Sequence, residues 1–202
     1  DLKFMEGVLA DIRQGNERGQ LLAHGTAYIG DHYGLKRGPV IKKQAISAYD
    51  PRVIEVTGIS MMLTAQGADH TTGNLFNVET KGKSPEELTK SSMEVQALCA
   101  AADSLGLCVF GRSVTNINLD LIITALNDAL GTELDDDFYV RLGTETLVLE
   151  SQFNTAAGFT EEDDKLPDFF YDEPLAPMNK SARHHSAEVN QVRRDWIAEH
   201  AI

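Results

Sequence analysis

The chain has 202 residues, of which 42% are hydrophobic and 24% are charged, and it carries a formal net charge of −13 at pH 7. This composition supports a compact core and excludes an intrinsically disordered chain, and the negative charge excludes a nucleic-acid-binding protein, because contacts to phosphates require a basic surface. No apolar run is long enough to span a membrane and two cysteines give no disulfide framework, so we expect a cytoplasmic protein.

Two helices are predicted in the first forty residues, because apolar side chains recur there every three or four positions. They cover residues 2–14 and a segment that begins at residue 21 and ends near Gly30 or Gly34. The glycines, proline and lysines between residues 34 and 51 favour an irregular connection with a short extended piece at Val40–Ile41. We interpret the basic residues from Lys36 to Lys43 as a solvated loop.

A third helix is predicted to begin after Asp50, because Asp is a common N-cap residue and Pro51 suits the first helical position. Its apolar residues continue to Leu63, and Gly67 is expected to end it. The following loop carries His70, whose imidazole is suited to proton transfer near neutral pH. From the residues alone, a structural His70 is favoured over a catalytic one.

The clearest helix start is Ser84-Pro85-Glu86-Glu87, where the serine and the last glutamate can form a capping box. An apolar stripe then runs to residue 102 and includes Cys99, whose expected role is core packing. Gly106 is expected to end this helix, because glycine accepts the positive φ that a helix C-terminus often requires.

Three further helices are predicted in the last third of the chain. They cover residues 118–130, residues 138–153 and a segment around residues 189–197. We interpret the run Asp135-Asp136-Asp137 as capping and dipole-favouring charge at the start of the second of them, and this is favoured over a metal site. No hairpin signal is present. The predicted fold class is therefore all-α, an irregular multihelical domain.

The chain lacks the motifs of a self-contained active site. Its six histidines show no zinc-site spacing, and there is no Gly-rich phosphate loop and no Cys-x-x-Cys. We interpret His184 and His185 as exposed surface residues, because they lie in a polar segment.

The strongest candidate for a site is the hexapeptide Asp103-Ser104-Leu105-Gly106-Leu107-Cys108. It places a thiol just past a helix end and a carboxylate one turn upstream. A thiolate can bind iron, and a carboxylate can accept hydrogen bonds from the amino groups of a ligand. The hexapeptide alone also fits a helix C-terminus with a buried, inert thiol.

This hexapeptide resembles the Asp-x-x-Gly-Leu-Cys signature of the tungsten-containing aldehyde ferredoxin oxidoreductases. Other stretches resemble the same family in the same order: Ala48-Tyr49-Asp50-Pro51-Arg52, Gly67-Ala68-Asp69-His70, Phe153-Asn154 with Gly158-Phe159-Thr160, Asp163-Asp164-Lys165-Leu166-Pro167, and Glu173-Pro174-Leu175. Together they match the C-terminal part of the family, and since the chain begins at Asp1 we interpret it as a fragment. Residues 1–40 are then expected to be the helical end of the middle domain, and residues 41–202 the C-terminal helical domain.

The resemblance also implies roles for individual residues. Asp103, Gly106 and Leu107 would bind one of the two pyranopterins that chelate tungsten or molybdenum. Cys108 would supply one of the four thiolates of a [4Fe–4S] cluster, and His70 would transfer protons near the metal. The family places the other cluster ligands, the first copy of the pterin motif and a catalytic carboxylate in the N-terminal domains, before Asp1.

The whole enzyme implied by the resemblance oxidises an aldehyde to a carboxylate and passes electrons to ferredoxin. The fragment is expected to be inactive without the N-terminal domains, and a homodimer is compatible with its uncovered apolar surface. The alternatives are a family member with a different substrate or acceptor and a non-catalytic helical interaction module. The substrate stays open, since Gln66 and Asp69 depart from the commoner family pattern in a loop expected to face the pocket.

Overall fold

The structure, a computed structural model, describes residues 1–73, 75 and 78–200. Within these residues the chain forms ten α-helices and one two-stranded hairpin, which confirms the predicted all-α, irregular multihelical fold. The helices are α1 (Leu2–Gln14), α2 (Glu17–Ala23), α3 (Gly25–Tyr33), α4 (Glu55–Leu63), α5 (Pro85–Ser104), α6 (Arg112–Thr115), α7 (Leu119–Leu130), α8 (Phe138–Ala156), α9 (Phe169–Asp172) and α10 (Ser186–Glu199). The strands are β1 (Val40–Ile41) and β2 (Gln44–Ala45), and a 3₁₀ turn, Val109–Gly111, lies between α5 and α6.

The hairpin replaces part of the irregular connection predicted for residues 34–51. β1 confirms the short extended piece, and it pairs with β2 in antiparallel register, with Ile41 opposite Gln44. The turn residues Lys42 and Lys43 have φ angles of 47° and 65°. Asn and Gly are the usual residues at such positions, so the two lysines gave no hairpin signal.

The Lys42 side chain is buried, so the interpretation as a solvated residue is wrong for Lys42, whereas Lys36, Arg37 and Lys43 are exposed as predicted. Its ammonium group forms an ion pair with Asp164 and donates a hydrogen bond to the carbonyl oxygen of Met62 at 3.3 Å. Arg193 binds the same carboxylate at 2.9 Å. Burial lowers the pKa of Lys42, and the ion pair with Asp164 opposes that effect. This ion-pair network joins the hairpin, the end of α4 and α10.

α4 lies at the centre of the main core, and every residue from Val56 to Leu63 is buried. The helix begins at Glu55, so the predicted start at Pro51 is wrong. The Asp50 carboxylate does not cap a helix, because it binds Arg52 instead, accepting hydrogen bonds from the backbone N–H at 2.9 Å and from the guanidinium at 2.6 Å. A local ion pair has therefore displaced the expected cap.

α5 and α8 are the two longest helices of the described chain, and they pack against each other. α5 begins with the predicted capping box, in which the Ser84 hydroxyl accepts a hydrogen bond from the Glu87 N–H and the Glu87 carboxylate accepts one from the Ser84 N–H. The two helices approach closely at Gly143. A Cβ atom added there would lie 1.8 Å from the carbonyl oxygen of Ala97.

The N-terminal segment is helical as predicted, but the second predicted helix is divided into α2 and α3, which meet at His24. α1 has no buried residue and contacts α2, and α3 contacts β2. The domain boundary near residue 40 stays a prediction.

In the described part of the chain no single helix is long and apolar enough to cross a membrane. α5 and the segment Val109–Thr115, which are bent relative to each other by 119°, together have the length and composition of a membrane span, on those two criteria alone.

One prediction made from a polar segment is wrong, and another is correct only in part, since α8 does begin directly after the aspartate run. His184 is only 6% exposed, and neither ring nitrogen has a hydrogen-bond partner among the described residues. Its burial lowers the pKa of the imidazole. The aspartate run does not cap α8 through its side chains: Asp137 makes no side-chain capping hydrogen bond, and Asp135 binds Arg141 at 3.0 Å.

Candidate functional site

The turn that ends α5 carries the candidate site. Gly106 has a φ of 70°, and the Leu107 N–H donates a hydrogen bond to the carbonyl oxygen of Ala102 at 2.8 Å. A glycine in this conformation lets the chain leave the helix, so the predicted helix end is confirmed. The Leu107 side chain packs against a second core formed by Ala101, Ala102 and Tyr139. The turn is thereby fixed to the body of the protein.

Cys108, just past this turn, is exposed to solvent. Its carbonyl oxygen accepts a hydrogen bond from the Gly111 N–H at 2.8 Å, so its backbone opens the 3₁₀ turn. Cys99 is buried on α5 as predicted, and burial raises the pKa of its thiol. Of the two thiols, that of Cys108 is the one that a metal can reach.

Asp103 lies at the rim of a cleft of about 280 Å³, whose walls include residues 64–66 beyond α4 and Glu150 on α8. No described residue donates a hydrogen bond to the Asp103 carboxylate. Partial burial raises its pKa, and the negative charge of Asp69 adds to the effect. This carboxylate is available to a ligand that offers hydrogen-bond donors.

Glu150 faces the same cleft from α8, and the sequence analysis did not identify it. Burial raises the pKa of Glu150, and the charge of Asp103 raises it further. In the sequence it is one charged residue after the apolar run Leu147-Val148-Leu149. That pattern indicates the edge of a helix face. It does not predict that Glu150 lines the cleft, because this depends on how α8 packs against α5.

His70 lies in the loop after Gly67, with 42% of its side chain exposed. Its ring lies against Tyr49, with 5.3 Å between ring centroids, and its Nδ1 atom is 4.0 Å from the Asp69 carboxylate. Asp69 is itself held by Thr71, which donates hydrogen bonds from its hydroxyl at 2.6 Å and from its N–H at 3.0 Å. Gln66 and Thr72, on either side of His70 in the chain, line the same cleft as Asp103, so the His70 loop lies beside the end of α5.

The described residues fit one part of the cofactor site that the resemblance implies. An iron–sulfur cluster needs four thiolates, and the exposed Cys108 can supply one of them. No group of three or more His, Cys, Asp and Glu residues in the described chain is arranged to hold a metal ion. A cluster bound through Cys108 would need its other three thiolates from outside the described residues, and the Asp103 carboxylate could accept hydrogen bonds from the organic part of a cofactor.

Comparison with known proteins gives the same family along almost the whole chain. The family profile described as "Aldehyde ferredoxin oxidoreductase, domains 2 & 3" matches residues 1–198. The tungsten-containing aldehyde ferredoxin oxidoreductases of Pyrococcus horikoshii and Pyrococcus furiosus are each 29% identical over 167 residues, which is 78% of this chain and 27% of each relative. The enzyme of the same name from Thermococcus kodakarensis is 28% identical over 174 residues, which is 81% of this chain and 28% of that relative.

The chain spans just over a quarter of the length of these curated relatives. The stretches that carry the resemblance include the site: the α5 turn with Asp103 and Cys108, and the loop with His70. A match of the family profile over residues 1–198 leaves only the last four residues outside it. The chain therefore belongs to the aldehyde ferredoxin oxidoreductase family, in the region of its domains 2 and 3.

Proposed function

We propose that this chain is the C-terminal part of a tungsten-pterin enzyme that oxidises an aldehyde to a carboxylate and passes the electrons through a [4Fe–4S] cluster to ferredoxin. The observation that carries the proposal is the α5 turn, which exposes the Cys108 thiol and leaves the Asp103 carboxylate without a hydrogen-bond donor among the described residues. The names of the relatives, all tungsten-containing aldehyde ferredoxin oxidoreductases, support the same reaction.

The α5 turn would hold the cofactors. When bound, the tungsten (or molybdenum) pterin and the cluster supply the redox chemistry, and the protein supplies binding and orientation. Asp103 would accept hydrogen bonds from amino groups of the pterin. Gly106 leaves open space beside the backbone, since a Cβ at this position would meet nothing within 4 Å, and Leu107 fixes the turn to the core. The Cys108 thiolate would bind one iron atom of the cluster.

His70 would move protons to and from the reacting oxygen atoms. Its partly exposed ring, the nearby Asp69 carboxylate and the position of its loop beside the end of α5 suit it to that role. Tyr49 packs on the ring and limits the orientations that it can adopt. The hydrogen bonds from Thr71 hold the Asp69 carboxylate beside the imidazole.

The cleft favours an aldehyde without negative charge. Residues 64–66 of its lining are uncharged, and Asp103 and Glu150 are the two charged residues of the lining. An anionic aldehyde would meet these groups and be repelled. The raised pKa values of Asp103 and Glu150 reflect their partial burial and the proximity of other carboxylates.

The remaining domains of the longer polypeptide are proposed to cover the exposed apolar side chains beyond the site. Phe110 is 92% exposed, and Val114 and Ile117 are also exposed, close in sequence to Cys108. Because the chain offers one accessible thiol, we expect the isolated chain to be colourless, free of tungsten and inactive, and to self-associate through this apolar surface. The cytoplasm, where thiols stay reduced, is the proposed location.

Metal analysis of the full-length protein tests the proposal. The protein is purified without oxygen, and tungsten, molybdenum and iron are measured together with aldehyde oxidation by a viologen dye. Tungsten or molybdenum with iron, and reduction of the dye by an uncharged aldehyde, are expected. A metal-free full-length protein would instead identify the chain as a non-catalytic helical module, and a metal-loaded protein that ignores aldehydes would indicate another substrate.

A further inference from the structure

Arg112 is a half-buried arginine that lies next to the candidate site. It begins α6 directly after the 3₁₀ turn that Cys108 opens, and its N–H donates a hydrogen bond to the carbonyl oxygen of Val109. The Gly111 N–H bonds the Cys108 carbonyl at 2.8 Å, so the segment from Cys108 to Arg112 forms one compact turn. The Arg112 side chain reaches back to the buried thiol of Cys99 on α5.

The guanidinium of Arg112 has no ion-pair partner among the described residues, although acidic residues outnumber basic ones by 13 in this chain. Arg52 and Arg193 are the other arginines that are not fully exposed, and each binds a carboxylate. The carboxylates of Asp103 and Asp69 act on the Cys99 thiol from nearby, yet neither makes an ion pair with Arg112. A partly buried cation without an anionic partner is costly. We therefore expect an anion from outside this chain to lie beside it.

The anion that the proposed function brings to this turn is the iron–sulfur cluster with its thiolate ligands, bound through Cys108. Its reduction potential depends on net charge, on hydrogen bonds to its sulfur atoms and on solvent exposure. A fixed positive charge next to the cluster stabilises the reduced form, which is the more negative of the two states.

We propose that Arg112 is a positioning residue of this cluster, which holds the Cys108 turn against α5 and raises the reduction potential of the cluster through its positive charge. This inference rests on the proposed function, because it requires that Cys108 bind the cluster. It assigns to Arg112 a role in electron transfer and none in the oxidation of the aldehyde itself.

The test is a redox titration of the cluster, followed by EPR, in the full-length enzyme. Arg112→Gln is expected to shift the midpoint potential to more negative values, and Arg112→Lys, which keeps the charge, to stay near the wild type. Arg18→Gln is the matched control: it removes the same charge from an exposed residue of α2 that pairs with Asp11 at 3.1 Å, and it should leave the potential unchanged.

Each outcome decides between this inference and its rivals. An unshifted potential in a fully loaded Arg112→Gln enzyme overturns the inference, and so does loss of pterin with an unshifted potential, because the guanidinium would then bind a pterin phosphate. If Arg112→Gln fails to retain iron, the lysine variant decides: retained iron supports the charge role, and lost iron overturns it. A wild-type enzyme without iron overturns the proposed function itself.

Discussion

Cys99 precedes the turn that ends α5 and is buried, whereas Cys108 follows that turn and is exposed to solvent. The two thiols are nine positions apart in sequence, and only the turn at Gly106 separates their environments. Burial raises the pKa of Cys99, which keeps it protonated and unreactive at neutral pH. This contrast defines the first prediction.

The proposed function assigns Cys108 to the iron–sulfur cluster, so replacing it with Ala in the full-length enzyme should disrupt the cluster by removing one of the four thiolate ligands. Iron content, visible absorbance and the EPR signal are measured, and electron transfer to ferredoxin should be severely slowed. The matched variant Cys99→Ala should keep the cluster and cost about 1 kcal/mol of stability through lost packing. The reverse result, in which only Cys99→Ala loses iron, would make Cys99 the ligand.

His70→Asn should retain tungsten, pterin and iron, because it preserves much of the volume and hydrogen bonding of the imidazole. The turnover number is expected to fall by about two to four orders of magnitude, the usual contribution of a general acid or base. His32→Asn, an exposed residue of α3, serves as the control and should turn over like the wild type. Wild-type turnover of a fully loaded His70→Asn enzyme would show that His70 is structural.

The free energy of unfolding should decrease with acidification through the titration of His184. In the folded chain, burial and then the charge of Arg183 lower the pKa of His184 below its ordinary value of 6.5, and Glu55, 4.0 Å away, and Glu188 only partly oppose this. The unfolded chain therefore binds the proton more tightly, so stability is fully present above about pH 6.5 and is lost as the pH falls below it.

Urea denaturation of the chain at about pH 7.5 and about pH 5.5 measures this effect. The wild type should lose more stability between the two pH values than His184→Gln, which cannot take up the proton. The exposed neighbour His185 is the control, and His185→Gln should keep the wild-type pH dependence. Equal losses in the wild type and in His184→Gln would place the acid sensitivity elsewhere.

Asp164→Asn should destabilise the chain by about 3–5 kcal/mol, since it leaves the buried ammonium of Lys42 without its charged partner. Chemical denaturation at neutral pH measures the change. Glu86→Gln removes the exposed partner of Lys90 on α5 and should have no measurable effect. A small effect of Asp164→Asn would mean that water reaches Lys42 in the folded chain.

Gly143→Ala and Gly7→Ala should have opposite effects on stability. At Gly143 the new methyl group would lie 1.8 Å from the carbonyl oxygen of Ala97, so α5 and α8 must separate, at a cost of about 3 kcal/mol or more. At Gly7 on α1 a methyl group would meet nothing within 4 Å, so alanine should stabilise that helix by roughly 0.5–1 kcal/mol. Thermal unfolding of both variants measures these changes in stability. If Gly143→Ala leaves the stability unchanged, α5 and α8 do not approach as closely as described.

Local signals in the sequence predicted the helix ends correctly where a few neighbouring residues decide the structure. The capping box at Ser84 is present, and Gly106 has the positive φ angle expected beyond α5. The hexapeptide at the end of α5 was identified for the same reason, because its turn depends on residues within it.

The errors concern residues whose partners are distant in the chain. Lys42 was interpreted as solvated because its partner, Asp164, is 122 residues away. His184 was expected at the surface because its own segment is polar, yet it is 6% exposed in the fold. Glu150 was missed because its place in the cleft depends on the contact between α8 and α5. The error at Asp50 is local: its carboxylate binds the nearby Arg52 and does not cap a helix as predicted.

The ion-pair network around Asp164 joins parts of the chain that are synthesised at different times. Arg193 on α10 donates a hydrogen bond to the carbonyl oxygen of Leu63, which is 130 residues earlier in the chain. While the ribosome is still making the middle of the chain, Lys42 and the end of α4 lack these partners, and residues 64–66 of the cleft follow directly from that unsecured helix end. We therefore expect the cleft to reach its final shape only after α10 has been synthesised.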